Sequence, residues 1–275
     1  RRRSDLVRSS PTARTYVGVA LIGGNERSEG LKTLGETYQE ARKQFEAGDA
    51  TSLMQWYEAI SLLFTPETLT DAEGLVRQFS GGSIDPLGLS FLADLCMGNP
   101  SAGPAKAVEY LAAIESIDFK SMPMVGTQLL DRLGTILYLD NKCERAIGCF
   151  EKALVLSPNA DGVLNNYAYL CGACLKDAKK GLPSARLAVQ LNPARSEYLD
   201  TLGFLLVTDA QYTEALEILK RAEALANSAA VQLHLAQAYN GLNRKSDAIG
   251  ALENASKLNP DPQIKASLAD IFIMP

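Results

Sequence analysis

The stretch EYLDTLGFLL, residues 197–206, gathers two carboxylates, a threonine, a glycine and two aromatic rings within ten positions. Such a set fits a catalytic pocket, and it fits equally one rung of a packing unit that has a polar face. The two readings differ in one respect: a packing unit recurs. Small residues do recur in register. Gly134, Ala168, Gly203 and Ala236 form a column with spacings of 34, 35 and 33. Ala146, Gly181, Ala215 and Ala248 form a second, with spacings of 35, 34 and 33. Ala153, Ala188, Ala222 and Ala255 repeat those spacings, and Pro158, Pro193, Asn227 and Pro260 follow each of them by five residues. Columns in phase at about 34 residues give the length of a helix–turn–helix solenoid unit.

The irregularities are as informative as the period. Comparing the columns places one inserted residue between Ala168 and Gly181, inside a unit, and one missing residue between Asn227 and Ala236, between units. Both positions are turns, where a change of length leaves helix packing intact. Within the units the apolar spacing is helical. Leu130, Leu133 and Leu137 share a face, as do Leu199, Leu202 and Leu206, and so do Ala146, Phe150 and Ala153. Gly or Ala at the column positions is expected to let two helix backbones approach where they cross, with large residues flanking the contact. Neither helix of such a unit buries its apolar face alone, so stacked neighbours must close the core.

These residues resemble the tetratricopeptide repeat family. Leu130, Leu133-Gly134, Leu137, Ala146, Phe150, Ala153 and Pro158 follow its pattern. So do Leu199, Leu202-Gly203, Leu206, Ala215, Leu219 and Ala222, with Asn227 where the family has proline. The last unit matches through Leu235-Ala236, Tyr239, Ala248, Leu252, Ala255 and Pro260. The unit opening near Asp161 departs furthest, with Tyr167-Ala168 and Cys171 but Gly181 in place of Ala. The resemblance spans residues 127–260 and looks most like bacterial members. It implies an all-α fold, a right-handed superhelical solenoid of helix–turn–helix repeats.

Upstream the pattern decays. LKTLGETYQEARKQFEAGD and TSLMQWYEAISLLF read as a degenerate helix pair with its turn at Gly48-Asp49, and LSFLADLCMG with AKAVEYLAAIE reads as another. TPETLTDAEGLVRQF carries capping signals and predicts a shorter helix, while Gly81-Gly82 and SIDFKSMPM read as linkers. PQIKASLADIFIM, after Pro260, reads as a closing helix. The expected organisation is a basic arm or linker over residues 1–29, a degenerate helical repeat region over 30–122, and four repeats with a capping helix over 123–275.

Charge bounds the partner. Arg1, Arg2, Arg3, Arg8 and Arg14 against Asp5 leave +4 on the arm, and −9 on the remainder of a chain of net charge −5. An acidic body repels phosphate backbones, so nucleic acid is not expected, and the arm alone could meet an anionic surface. No run of eighteen apolar residues is present in this sequence. The chain opens on Arg1 rather than Met, which predicts a segment upstream whose content, an anchor or signal included, the sequence leaves open. Membrane contact is expected only through the arm or such an anchor. Five cysteines, an odd number in a chain with this much apolar material, do not resemble a disulfide framework, and reduced, mostly buried thiols are expected, in a cytoplasmic or membrane-tethered setting.

Candidate chemistry is thin. Cys171 and Cys174 form a CxxC without the helix N-terminus a redox pair needs or the further ligands a zinc site needs, and Cys143 and Cys149 lie in the preceding unit. His234, the single histidine, sits beside Leu235 at an ordinary helical position with no nucleophile motif. YVGVALIGGNERSEGLKT has the look of a strand, glycine loop and helix, but Leu31 separates Gly30 from Lys32 where a phosphate loop needs them adjacent. No catalytic residue, cofactor or metal is therefore assigned.

The first helices of the resembled family line an inner groove, and that placement implies a surface for a protein or peptide segment. Its slots carry Gln128, Asp131 and Thr135 in the first unit, and Asn165, Asn166 and Tyr169 in the second. Glu197, Asp200 and Phe204 follow in the third, and Gln237 and Asn240 in the fourth. Amides can pair with an extended backbone and the rings can hold an apolar side chain. Family members that hold acidic chaperone tails use two Lys, two Asn and an Arg, of which only Asn166 is matched; Asp131, Thr135, Glu197 and Thr201 fill the other slots. Acids there repel a carboxylate tail, so a neutral or basic segment is expected. The competing reading is an accessory repeat region of a larger membrane-anchored protein or enzyme whose activity lies upstream.

Overall fold

A computed structural model describes residues 10–259. Among them are fourteen α-helices, two short 3-10 turns and no strand. The chain divides into two compact units, Arg1–Leu156 and Ser157–Pro275.

In the first unit, α1 (Pro11–Gly23) pairs with α2 (Arg27–Glu46), followed by α3 (Thr51–Ser61), α4 (Leu69–Ser80), α5 (Pro86–Gly98), α6 (Gly103–Leu111), α7 (Pro123–Leu139) and α8 (Cys143–Leu156). The presence of α1 changes the reading of residues 1–29 as an arm or linker. Ser10 caps α1 by accepting from the Ala13 amide, and Pro11 occupies its first turn, where a missing N–H costs nothing. Gly18 and Gly30 let α1 and α2 close on each other: a Cβ on Gly30 would lie 2.7 Å from the Gly18 carbonyl oxygen. Arg14, counted with the arm, is on α1 and pairs with Glu40 at 2.5 Å. Arg1, Arg2, Arg3 and Arg8 lie outside the described residues. The glycine-rich stretch after Tyr16 folds as the end of α1, a turn with Asn25 at φ 67°, and the start of α2.

The core of this unit is aromatic. Tyr38, Trp56 and Phe79 meet at centroid distances of 4.9, 5.7 and 6.2 Å, mostly edge to face, and the Trp56 indole N–H donates to the Leu34 carbonyl at 3.1 Å. Beside them Asp85 is buried and fully engaged. Its Oδ2 accepts from the hydroxyls of Tyr38 (2.9 Å) and Tyr57 (2.7 Å), and its Oδ1 accepts from the Gly88 amide, capping α5. Burial, with Asp85 adjacent, pushes the Tyr38 hydroxyl up to about 12 and that of Tyr57 well above its ordinary value. The segment SIDFKSMPM, residues 116–124, read as a linker, carries Phe119, which is buried against Gly126 of α7, and its last two residues, Pro123 and Met124, open that helix.

The second unit is a regular series of hairpins: α9 (Asp161–Ala173) with α10 (Ala178–Leu191), α11 (Ser196–Thr208) with α12 (Tyr212–Leu225), and α13 (Ala229–Gly241) with α14 (Lys245–Leu258). Pro260 and the closing helix expected after it lie outside the described residues. Turn geometry accounts for the irregular spacing. The α7–α8, α11–α12 and α13–α14 turns have three residues, with Asn141, Ala210 and Asn243 left-handed at φ 58–59°. In each, the next amide donates to the carbonyl five residues back: Lys142 to Leu137, Gln211 to Leu206 and Arg244 to Tyr239, at 2.8–2.9 Å. This 6→1 bond satisfies a carbonyl at the helix end. The α9–α10 turn has four residues, and its bond runs from Asp177 to Cys171, one residue longer. The inserted residue sits there. The missing residue falls in the α12–α13 connection, three residues against four between α10 and α11.

The small-residue columns lie at the crossings, with a refinement. A Cβ on Gly203 would come 2.4 Å from Leu219, and one on Gly134 would come 2.6 Å from Phe150. The glycine therefore admits a large side chain of the second helix rather than its backbone. Direct backbone approach occurs at Gly181, where a Cβ would lie 2.7 Å from the Ala168 carbonyl oxygen. That explains why this unit reverses its glycine and alanine. Leu199, Leu202, Leu206, Leu219, Leu235 and Leu252 interleave with the alanine columns in one continuous core, each such leucine contributing roughly 1.5–3 kcal/mol.

Candidate protein-interaction site

The slots predicted on first helices separate into different cavities. Within the first unit, Gln128, Asp131 and Thr135 of α7 line a space of about 630 Å³ with Met54, Leu87, Met97, Arg132 and Leu139. Arg132 is paired with Asp94 there, and the Thr135 hydroxyl donates back to the Asp131 carbonyl at 3.0 Å. Within the second unit, Asn165, Asn166, Tyr169, Glu197, Asp200 and Phe204 converge on one cavity of about 400 Å³. Gln237 and Asn240 of α13 are not among its lining residues.

Helix register explains the second cavity. Glu197, Asp200, Thr201 and Phe204 recur at one to four residues along α11, so they fall on or beside one face, opposite the leucines that enter the core. Tyr169 of α9, Phe204 of α11 and His234 of α13 form a ladder across three successive first helices, with centroid distances of 5.7 and 5.2 Å and interplanar angles of 43° and 33°. The Phe204 ring is seated on Gly172, where a Cβ would come 2.7 Å from its edge. His234 Nδ1 lies 2.7 Å from Asp200 Oδ1, and both side chains are over four-fifths covered. Asn165 Nδ2 donates weakly to Asn166 Oδ1 at 3.5 Å, while Asn165 Oδ1 is covered from solvent and has no hydrogen-bond partner. At the rim, the backbone amide of Glu197, assisted by Arg195 at 3.3 Å, holds the Glu197 carboxyl below the usual carboxylate range.

His234, Ser196, Ser228 and Val231 also line this cavity and were not among the predicted slots. For His234 a signal was present: it precedes Ala236 by two, as Asn166 precedes Ala168 and Thr201 precedes Gly203. Tyr169 and Phe204 instead follow their column by one, so the ladder steps diagonally between registers. Sequence columns alone do not show that step. Ser228 caps α13 by accepting from Val231, and Asn227, which replaces the family's proline, accepts from the buried Gln232 amide at 2.8 Å.

Cys96, Cys149 and Cys171 are buried thiols outside any disulfide, and burial pushes Cys96 and Cys149 up to about 11. A thiol so raised is a poor nucleophile. Cys143 and Cys174 are disulfide-bonded, which corrects the expectation of thiols at those positions. Both stand at helix ends and are partly exposed, so core packing does not shield them. Among the described residues no group of three or more His, Cys, Asp or Glu is placed to hold a metal, and no helix is long and apolar enough to cross a membrane.

Helical hairpins stacked through small-residue crossings, with a polar and aromatic face on the first helices, define a helical-repeat protein. Residues 206–271 match the tetratricopeptide repeat family. No curated protein matches it in sequence. Solved structures share the fold. YrrB, described as a TPR protein with an unusual peptide-binding site, aligns at TM-score 0.52 and 17% identity over 75% of this chain and 100% of its own. TTC0263, a thermophilic TPR protein of Thermus thermophilus, aligns at 0.53 and 14% over 69% and 100%. MamA from Desulfovibrio magneticus aligns at 0.51 and 21% over 62% and 93%. At such identities the likeness extends to the fold alone.

Proposed function

We propose that this protein is a non-catalytic interaction scaffold, and that its second unit binds an extended segment of a partner protein, neutral or basic, across α9, α11 and α13. The observation that carries this reading is the convergence of three first helices on one cavity with an uninterrupted Tyr169–Phe204–His234 ladder. The amides of Asn165 and Asn166 offer donors and acceptors to an extended backbone, and the rings offer apolar contact. Glu197 and Asp200 set the sign of the partner. The peptide-binding site named for YrrB is a precedent on the same fold.

The test is a double variant, Asp200→Lys with Phe204→Ala, against dodecapeptides selected by display on the wild-type protein. Binding is expected to fall at least tenfold, about 1.4 kcal/mol, with the helical circular-dichroism signal preserved. Equal binding by the double variant would move the site off this face.

A further inference from the structure

We propose that the cavity over α9, α11 and α13 is the seat of one arginine side chain of the partner segment. The inference rests on the reading above and makes it specific. A cavity of about 400 Å³ is side-chain sized rather than domain sized. Its walls are rich in acceptors and poor in cations: Asp200, Glu197 and the amide of Asn165 line it, and His234 is the only side chain there able to carry positive charge. One oxygen of Asp200 is taken by His234, and Asp200 is among the residues that line the cavity. Asn165 Oδ1 is an unpartnered acceptor that is covered from solvent. An acceptor left so is costly, and a rotation of the Asn165 amide toward the cavity it lines would let a ligand donor satisfy it.

The rings narrow the choice among donors. A cation held by Asp200 enters a space lined also by Tyr169 and Phe204, and attraction between a cation and an aromatic ring operates within ~6 Å of the ring centroid. Phe204 is fixed for this by Gly172 behind it and by its neighbours in the ladder. Guanidinium suits the set better than ammonium. Its planar fork offers five N–H donors in fixed directions, so one group can serve a carboxylate and a separate amide carbonyl while lying against a ring. Ammonium is more strongly hydrated and gives up more on entering a partly covered site. The Arg195–Glu197 pair at the mouth is exposed and only 3.3 Å close, so an incoming guanidinium can displace it at small cost.

The experiment titrates the isotope-labelled chain with capped pentapeptides, Gly-Gly-Xaa-Gly-Gly, in which Xaa is Arg, Lys, citrulline, Leu or Glu. Amide shifts at 197–204 and 228–234 are followed. The arginine peptide is expected to move these resonances and to bind at least about tenfold more tightly than its neutral isostere citrulline, the margin of one charge-assisted hydrogen bond. Asp200→Asn should remove that margin, and Phe204→Leu should weaken arginine several-fold without altering the spectrum elsewhere. Arginine and citrulline binding alike, lysine or leucine binding more tightly than arginine, or shifts confined to other residues would each overturn the assignment. The display-selected peptides keep the two claims separable. If they still bind this face while arginine shows no preference, the seat is wrong and the scaffold reading stands. If they too ignore the face, both fall.

Discussion

The two compact units solve the same packing problem with different chemistry. In the second, six helices of 13–14 residues repeat one crossing, with Gly or Ala on one helix beneath a leucine or another small residue on the next. In the first, helices range from 9 to 20 residues, and the centre is held by three rings and a buried carboxylate that bonds two tyrosines and caps a helix. A repeated crossing tolerates only side chains that fit at every repeat, which favours small residues at fixed spacing. A crossing used once is free to use a unique arrangement of large ones, which leaves no period in the sequence.

This contrast can be broken at its centres. Trp56→Ala should have the largest effect, roughly 3–5 kcal/mol for loss of a fully buried ring, read as lost hydrogen-exchange protection in α2, α3 and α4. A loss below about 1 kcal/mol, the ordinary size of a point-mutant effect, would mean that the aromatic cluster is not the centre of the first unit. Gly203→Leu comes next, at roughly 1–3 kcal/mol, because the new side chain must displace Leu219. Its effect should appear in α11 and α12, and unchanged thermal stability would count against the small-column account of the second unit.

The smallest effect is alkaline and belongs to the first unit. Tyr38 is pushed up to about 12 in the folded protein against 10 unfolded, so the protonated hydroxyl is what the fold favours. Its contribution is complete below pH 10 and declines as pH rises through about 12. Tyr57 acts in the same direction. Melting temperatures between about pH 8 and pH 11.5 should therefore fall more steeply above pH 10 in the wild type than in Tyr38→Phe. Parallel profiles would remove the Asp85 network from the account.

How far the molecule could be read in advance follows from the same contrast. The hairpins of α7 to α14 were legible down to the turn that carries an extra residue, because phased columns fix both helices and their connection. Helix α1 was not, since Gly18, Gly23 and Gly24 imitate a loop until Gly30 is seen closing on Gly18. The candidate site was half legible. Its slots on α9 and α11 were identified from register, but His234 was set aside, and Gln237 and Asn240 do not line the cavity.

By itself the sequence determined the period, the fold class and the identity of the crossing residues. Each follows from local geometry: about 3.6 residues per turn and a side chain that must be small wherever two helices meet. The tertiary structure alone decided which polar residues meet. Tyr169 comes from α9, Asp200 and Phe204 from α11 and His234 from α13, at three register positions between them, and their contacts depend on how each hairpin is rotated against the next. A column of letters carries no record of that rotation.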